Sequence, residues 1–261
     1  RTGQRCSFAC TSVGPTSAAI RLARAFTGRD IILCSGYHGW HDWYVGSTEN
    51  DLGVPGCVKD MTKHFIYNDI CSLESLLKKY KSKTACIIME PVSGNGPERG
   101  YLQQVGRLAR RYGVLLIFDE VVSGFRMGIS GAQWYYNVIP DLASFGKGMA
   151  NGLALSAVVG RKDIMRLIEK GAFISTTFGG ESLSLAGALA AIKILEKKKS
   201  YEHIWNMGNL WKQKMQALID KKGMNNIVRI QGLAPHCVLV FNKIGKLSNY
   251  DLASIFQQHV I

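Results

Sequence analysis

The chain has 261 residues, 47% of them hydrophobic, enough for one large domain or one and a half ordinary ones around a sizeable core. No stretch of about 18 uncharged apolar residues occurs, and no basic-then-apolar leader opens the chain, so a soluble cytoplasmic protein without a membrane span is expected. The formal charge of +13 invites an acidic or nucleic-acid partner, but the lysines gather at 78–83, 197–199 and 221–222, around expected helix ends. With no RNP, zinc-finger or bZIP pattern beside them, nucleic-acid binding is not expected.

In chain order, Pro15 to Thr27 carries helical spacing, with Ala18, Ala19, Leu22 and Ala23 on one side. Pro15 suits the first turn, where a missing N–H costs nothing. Backbone N–H groups of the preceding Thr11-Ser12-Val13-Gly14 would face the positive end of that helix, where a phosphate can be held. Ile31–Cys34 reads as a strand that ends in Ser35-Gly36-Tyr37-His38-Gly39-Trp40, placing flat rings at its carboxyl end, the edge where open parallel sheets bind ligands. Taken singly, each of Tyr37, His38, Trp40 and Trp43 is as well explained by ordinary packing.

Leu73–Tyr80 reads as a helix and Ala85–Met89 as a buried strand ending at Glu90-Pro91. Tyr101–Tyr112 is helical, and Val114–Phe118 is a second continuous apolar strand ending at Asp119-Glu120. Strands apolar on both faces that alternate with helices describe an α/β fold with a mostly parallel sheet covered on both sides. A carboxylate at the end of such a strand is partly desolvated and needs a cation, either a protonated ligand or a protein group. Arg126 is the protein candidate.

Asp141–Gly152 reads as a short strand running into a loop that sets Lys147 between Gly146 and Gly148. Without neighbouring side chains, a flat ligand can approach that ammonium closely, and lysine is a natural Schiff-base former. It is not a P-loop, because Gly148 stands where Ser or Thr would bind magnesium. Leu155–Gly160 follows as a strand, Lys162–Lys170 as a helix, and Ser175–Gly180 as a hydroxyl- and glycine-rich loop before an alanine-rich helix, Leu183–Glu196. A long helix at about 201–221, strands at 227–231 and 236–242, and a last helix complete the pass. A change of domain is expected near residue 225, giving 1–225 and 226–261. The seven cysteines are odd in number and scattered, without a CxxC pair, which argues against a disulfide framework or a zinc site.

Gly36-Tyr37-His38-Gly39, Glu90-Pro91-Val92, Phe118–Arg126 and Ser144-Phe145-Gly146-Lys147-Gly148 occur in this order. Together they resemble the class-III aminotransferases that use pyridoxal 5′-phosphate (PLP), and within them the glutamate-1-semialdehyde 2,1-aminomutase group. Thr27–Asp30, Phe145–Gly152 and Leu155–Gly160 strengthen the narrower match, which runs over roughly residues 8 to 261. The resemblance implies a PLP fold-type-I large domain followed by the start of a small α+β domain, with the family's N-terminal segment and most of its C-terminal domain outside this chain.

It also implies the site. Lys147 forms the Schiff base with PLP and shuttles a proton, and Asp119 pairs with the pyridine nitrogen. Tyr37 and His38 lie at the ring face, with Glu90 and Val121 beside the ring. Ser12, Val13 and Gly14 hold the phosphate, and Thr177 reaches the phosphate of a neighbouring subunit, which implies a homodimer with shared sites acting on a small amino substrate. No metal is implied. Relatives usually read Gly-Ser/Thr-Glu/Asp-Ala where this chain has Ser12-Val13-Gly14-Pro15. The hydroxyl at position 13 is gone and Pro15 removes one N–H, so weaker cofactor binding is expected. A class-III aminotransferase acting on another amine, or a non-catalytic relative of the same fold, remain the alternatives.

Overall fold

The structure is a computed structural model that describes residues 4–9, 13–197 and 199–260. The chain divides into two compact units. The first runs up to residue 197 apart from 94–96, and the second takes 94–96 and the chain beyond 197. The long helix expected at 201–221 therefore belongs to the second unit, and the division falls earlier in the chain than residue 225.

In the first unit, the strands are β1 (Gln4–Ala9), β2 (Ile31–Ser35), β3 (Thr62–His64), β4 (Thr84–Met89), β5 (Leu115–Asp119), β6 (Leu142–Phe145) and β7 (Ser156–Arg161). They form one sheet in the order β1-β7-β6-β5-β4-β2-β3. Strands β3, β2, β4, β5 and β6 are parallel, whereas β7 runs antiparallel to β6 and β1 antiparallel to β7. The chain leaves β2 toward β3 on one side and returns to β4 on the other. That reversal makes a topological switch point, the place where open α/β sheets form a crevice at their carboxyl ends.

Alternate residues of the central strands point to opposite faces, and both faces are buried. Ile32, Cys34, Cys86, Ile88, Leu115 and Ile117 meet Ala18, Ala19, Leu22 and Ala23 of α1 (Val13–Thr27) on one side. Leu33, Ile87, Met89, Leu116 and Phe118 meet helices on the other. Two very short helices, α2 (Asp42–Val45) and α3 (Gly56–Lys59), lie between β2 and β3.

Helix α4 (Ile70–Lys79) starts where the Asp69 carboxylate accepts from Cys71 N and Ser72 N at 2.9 and 3.0 Å, satisfying two of the donors a helix start leaves open. It buries Leu73 and Leu77 and ends with Lys78 and Lys79 at the negative end of its dipole. Helix α5 (Tyr101–Tyr112) coincides with the predicted span and stops at Gly113, whose φ of +60° is easy only for glycine. Beyond β5 come α6 (Gly131–Tyr135), α7 (Lys162–Met165) and the apolar α8 (Ser182–Leu195). The helix predicted over 162–170 is shorter than its pattern, continuing after Met165 only as a 3₁₀ turn, Arg166–Ile168.

The second unit comprises α9 (Ser200–Lys221), an antiparallel pair β8 (Val228–Gln231) and β9 (Val238–Phe241), and α10 (Asn249–Val260). Lys212 Nζ donates to Gly232 O at 2.8 Å, tying the helix to the connection between its two strands. No helix among the described residues is long and apolar enough to cross a membrane.

Candidate active site

Four parallel strands deliver their carboxyl ends to one open cavity. It is lined by Val13, Thr16, Tyr37, His38, Gly39, Glu90, Asp119, Val121, Val122 and Lys147. Tyr37 and His38 follow β2, Glu90 follows β4, Asp119 ends β5, and Lys147 follows β6. Hydrophobic register across the sheet is what brings together residues so distant in the chain.

Asp119 is the most constrained of them, only 5% exposed. Its Oδ1 accepts from Val121 N at 3.1 Å and from Ser144 Oγ at 3.2 Å. Ser144 stands directly opposite it in the β5–β6 register, which is why the hydroxyl reaches. Oδ2 lies 2.9 Å from His38 Nδ1. The protein partner of this carboxylate is therefore His38. Arg126 is not its partner, because its Nη1 donates to Val122 O at 2.6 Å. His38 was placed at a ring face by the sequence, yet its ring is 2% exposed, stacks on Trp43 at 6.0 Å and meets the edge of Tyr44 at 5.4 Å. Its Nε2 lies 3.2 Å from Ser35 O. Both ring nitrogens thus lie within hydrogen-bond distance of oxygens, which fixes the plane of the ring.

Lys147 is exposed while lining the cavity. Its φ is +40°, left-handed for a residue with a β-carbon, a conformation that costs on the order of 1–3 kcal/mol and gathers at functional sites. The turn is held by Met149 N donating to Gly146 O at 2.9 Å and Asn151 N donating to Lys147 O at 3.0 Å. Gly148 lies against the Ser123–Arg126 turn, where a β-carbon would make only ordinary contacts, the nearest at 3.4 Å to Gly124 O.

Tyr37 is 67% exposed, and its backbone N–H donates to Glu90 Oε2 at 3.2 Å. Burial pushes the Glu90 carboxyl above its ordinary range. The Tyr37 hydrogen bond opposes that shift, as do His38 and Lys147, whereas Asp119 adds to it.

The remaining predicted residues separate. Val13 and Gly14 open α1, two residues earlier than expected; Val13 lines this cavity, and Gly14 lines a neighbouring groove with Ser175 and Thr176. Ser12 lies outside the described residues. Thr177 is exposed on the turn before α8 and is not among the residues lining the cavity. Thr16, Gly39 and Val122 line it without having been singled out. Thr16 is fully buried in the first turn, its hydroxyl donating to Val13 O at 2.8 Å. A hydroxyl directly after Pro15 was its only sequence signal.

Glu120 was passed over and proves to be a brace. It is fully buried and accepts from Ser123 Oγ at 2.7 Å, Ala132 N at 2.6 Å and Gln133 N at 2.9 Å. These bonds tie β5 to the start of α6. Burial pushes its carboxyl up, while the donors from Gln133, Ala132 and Ser123 pull it back. Glu120→Ala leaves those donors unsatisfied, so chemical denaturation is expected to show a loss of about 3 kcal/mol. An unchanged midpoint contradicts the bracing role.

Residues 5–243 match the class-III aminotransferase family. The 3-aminobutyryl-CoA aminotransferase of Cloacimonas acidaminovorans is 39% identical over 220 residues, 82% of this chain and 52% of that protein. The glutamate-1-semialdehyde 2,1-aminomutase of Methanocella arvoryzae is 39% identical over 267 residues, 96% of this chain and 62% of that protein. Among solved structures, the Sphingopyxis sp. MTA144 FumI protein in its PLP internal aldimine form superimposes with a TM-score of 0.83 at 24% identity, covering 91% of this chain and 58% of that one. That likeness bears on the fold, an α/β architecture of the PLP transaminase type. The chain belongs to the class-III aminotransferase family, and it spans between half and two thirds of the length of these relatives.

Proposed function

We propose that this chain carries the active-site half of a PLP-dependent enzyme of amino-group transfer, similar to glutamate-1-semialdehyde 2,1-aminomutase. One observation carries the reading: an accessible lysine and a buried, histidine-partnered aspartate line one cavity at the sheet's switch point. The residues present fit the cofactor. Lys147 offers the only primary amine lining the cavity among the described residues, Asp119 a carboxylate held in place by three partners, and Val121 and Tyr37 apolar and aromatic walls.

PLP supplies an aldehyde and a protonatable ring that draws electrons from the carbon bearing the amino group. Lys147 Nζ would hold that aldehyde and, when free, would move a proton at the substrate carbon. The Asp119 carboxylate, held in place by Val121 N, Ser144 Oγ and His38, would hold the proton on the ring nitrogen. Ser12, Val13 and Gly14 are assigned to the phosphate, and Glu90 and His38 to the surroundings of the ring. With Pro15 lacking an N–H, the phosphate site has one donor fewer, and weak cofactor retention is expected.

A second reading is intermolecular transfer to a different acceptor, favoured by the similarity to a 3-aminobutyryl-CoA aminotransferase. Product analysis separates the two. Isomerisation of glutamate 1-semialdehyde with no second amine present supports the first, whereas turnover that requires an added amino donor and acceptor supports the second. Absence of both reactions, together with no PLP uptake, points to a non-catalytic relative.

A homodimer is part of the proposal, with Thr177 directed to the partner's phosphate site. Its support is α8, where Leu183 and Ile194 on one side of the helix are 67% and 58% exposed and Leu189 on another is 60% exposed, apolar surface wanting cover. Light scattering on the purified protein is expected to give twice the chain mass. A reducing cytoplasmic setting is supported by Cys6, Cys34, Cys57, Cys71, Cys86 and Cys237, all free thiols.

A further inference from the structure

We infer that Glu90 is a positioning residue, whose carboxylate holds the Tyr37 backbone and so fixes the aromatic wall of the cavity. The inference rests on the reading of Tyr37 as that wall. Glu90 lies just past the carboxyl end of β4, next to β2 in the sheet, and its two ends do different work. Its backbone N–H donates to Ser35 O at 3.3 Å, continuing the β2–β4 ladder by one residue. Its side chain turns the other way, and Oε2 accepts from Tyr37 N at 3.2 Å. The strand end and the aromatic turn after β2 are thus pinned by one residue.

Gly36 is the consequence. Its φ is +103°, and a β-carbon there would come within 2.6 Å of Glu90 Oε2. Only glycine gives the turn both that conformation and room for the carboxylate. Tyr44 OH donates to Gly36 O at 3.0 Å and meets the Tyr37 ring edge-on at 5.7 Å, so the turn is held from α2 as well. The Tyr37 side chain remains 67% exposed, which leaves its backbone as the part by which it is held.

A hydrogen bond to a carboxylate is stronger than one to a neutral acid, so the hold weakens when Glu90 takes up a proton. The groups acting on that proton are Tyr37 and His38 after β2, Asp119 on β5 and Lys147 after β6; the carboxylate in turn raises the neighbouring phenols of Tyr44 on α2 and Tyr67 after β3, which burial already pushes up. Burial raises the carboxyl's proton affinity, so protonation comes at a higher pH than for an exposed glutamate.

The test needs no cofactor. In protein labelled with ¹⁵N-tyrosine, with the Tyr37 amide assigned through Tyr37→Phe, that amide is expected to shift with pH, with a midpoint above that of exposed carboxylates. In Glu90→Gln, which keeps an acceptor oxygen but no titrating group, the pH dependence is expected to vanish. A Tyr37 amide that does not titrate, or that titrates equally in Glu90→Gln, overturns the inference whatever the protein binds. A second arm uses PLP itself: Glu90→Ala is expected to weaken its retention by about three- to tenfold, the effect of one such bond, and Glu90→Gln to restore most of it. Equal loss in both variants contradicts positioning through the hydrogen bond. Failure of the native protein to take up PLP, with the amide titration intact, removes the functional reading and leaves the Glu90–Tyr37 contact standing.

Discussion

Lys147→Ala is expected to bring amino transfer down to background, at least about 10²- to 10⁴-fold from the lost proton transfer alone. No other residue lining the cavity can replace it, since Val13, Thr16, Tyr37, His38, Gly39, Glu90, Asp119, Val121 and Val122 include no primary amine. Folding is expected to survive, because the side chain is exposed and forms no ion pair among the described residues, while the backbone bonds from Met149 and Asn151 remain. Far-UV circular dichroism checks the second point and steady-state turnover the first. Residual PLP, held without a covalent link, is compatible with this result. Unchanged turnover in a folded variant removes Lys147 from the chemistry.

Asp119→Asn is expected to lower turnover by about 10²- to 10⁴-fold with little loss of structure. The amide oxygen can still accept from Val121 N and Ser144 Oγ, the two bonds now made to Oδ1. What disappears is the negative charge, which the proton on a ring nitrogen requires. The defect is therefore expected in turnover, with PLP uptake through Lys147 retained. Comparison with His38→Asn separates charge from placement, because that variant keeps the carboxylate and removes its imidazole partner. Native rates in Asp119→Asn break the link between the buried acid and the reaction.

Much of this arrangement was legible in the sequence, and the exceptions have physical causes. The strands that carry the site announced themselves because Ile32–Cys34, Ala85–Met89 and Leu115–Phe118 are buried on both faces, leaving no polar alternation to confuse the pattern. Strands β1 and β3 did not, since Gln4–Ala9 mixes polar with apolar residues and Thr62–His64 is only three residues long. Asp119 and Lys147 could be found from their motifs, but the partner of Asp119 could not. Arg126 was nearer in the chain and chemically more obvious, whereas His38 arrives across 81 positions through the packing of β2, β4 and β5. Glu120 illustrates the same limit. Beside Asp119 it read as part of one acidic motif, yet the alternation of strand residues sends its carboxylate to the far side, where the start of α6 receives it. The long helix α9 carried no mark of the unit it joins, because that is decided by the β8–β9 pair that follows it.

The most direct measurement is the mass of the protein after incubation with PLP and borohydride reduction, followed by peptide mapping. A single phosphopyridoxyl group on Lys147, lost in Lys147→Ala, is the result expected if this amine and Asp119 serve one cofactor. Absence of any adduct, or attachment at a different lysine, contradicts the assignment of this cavity as the site of amino transfer.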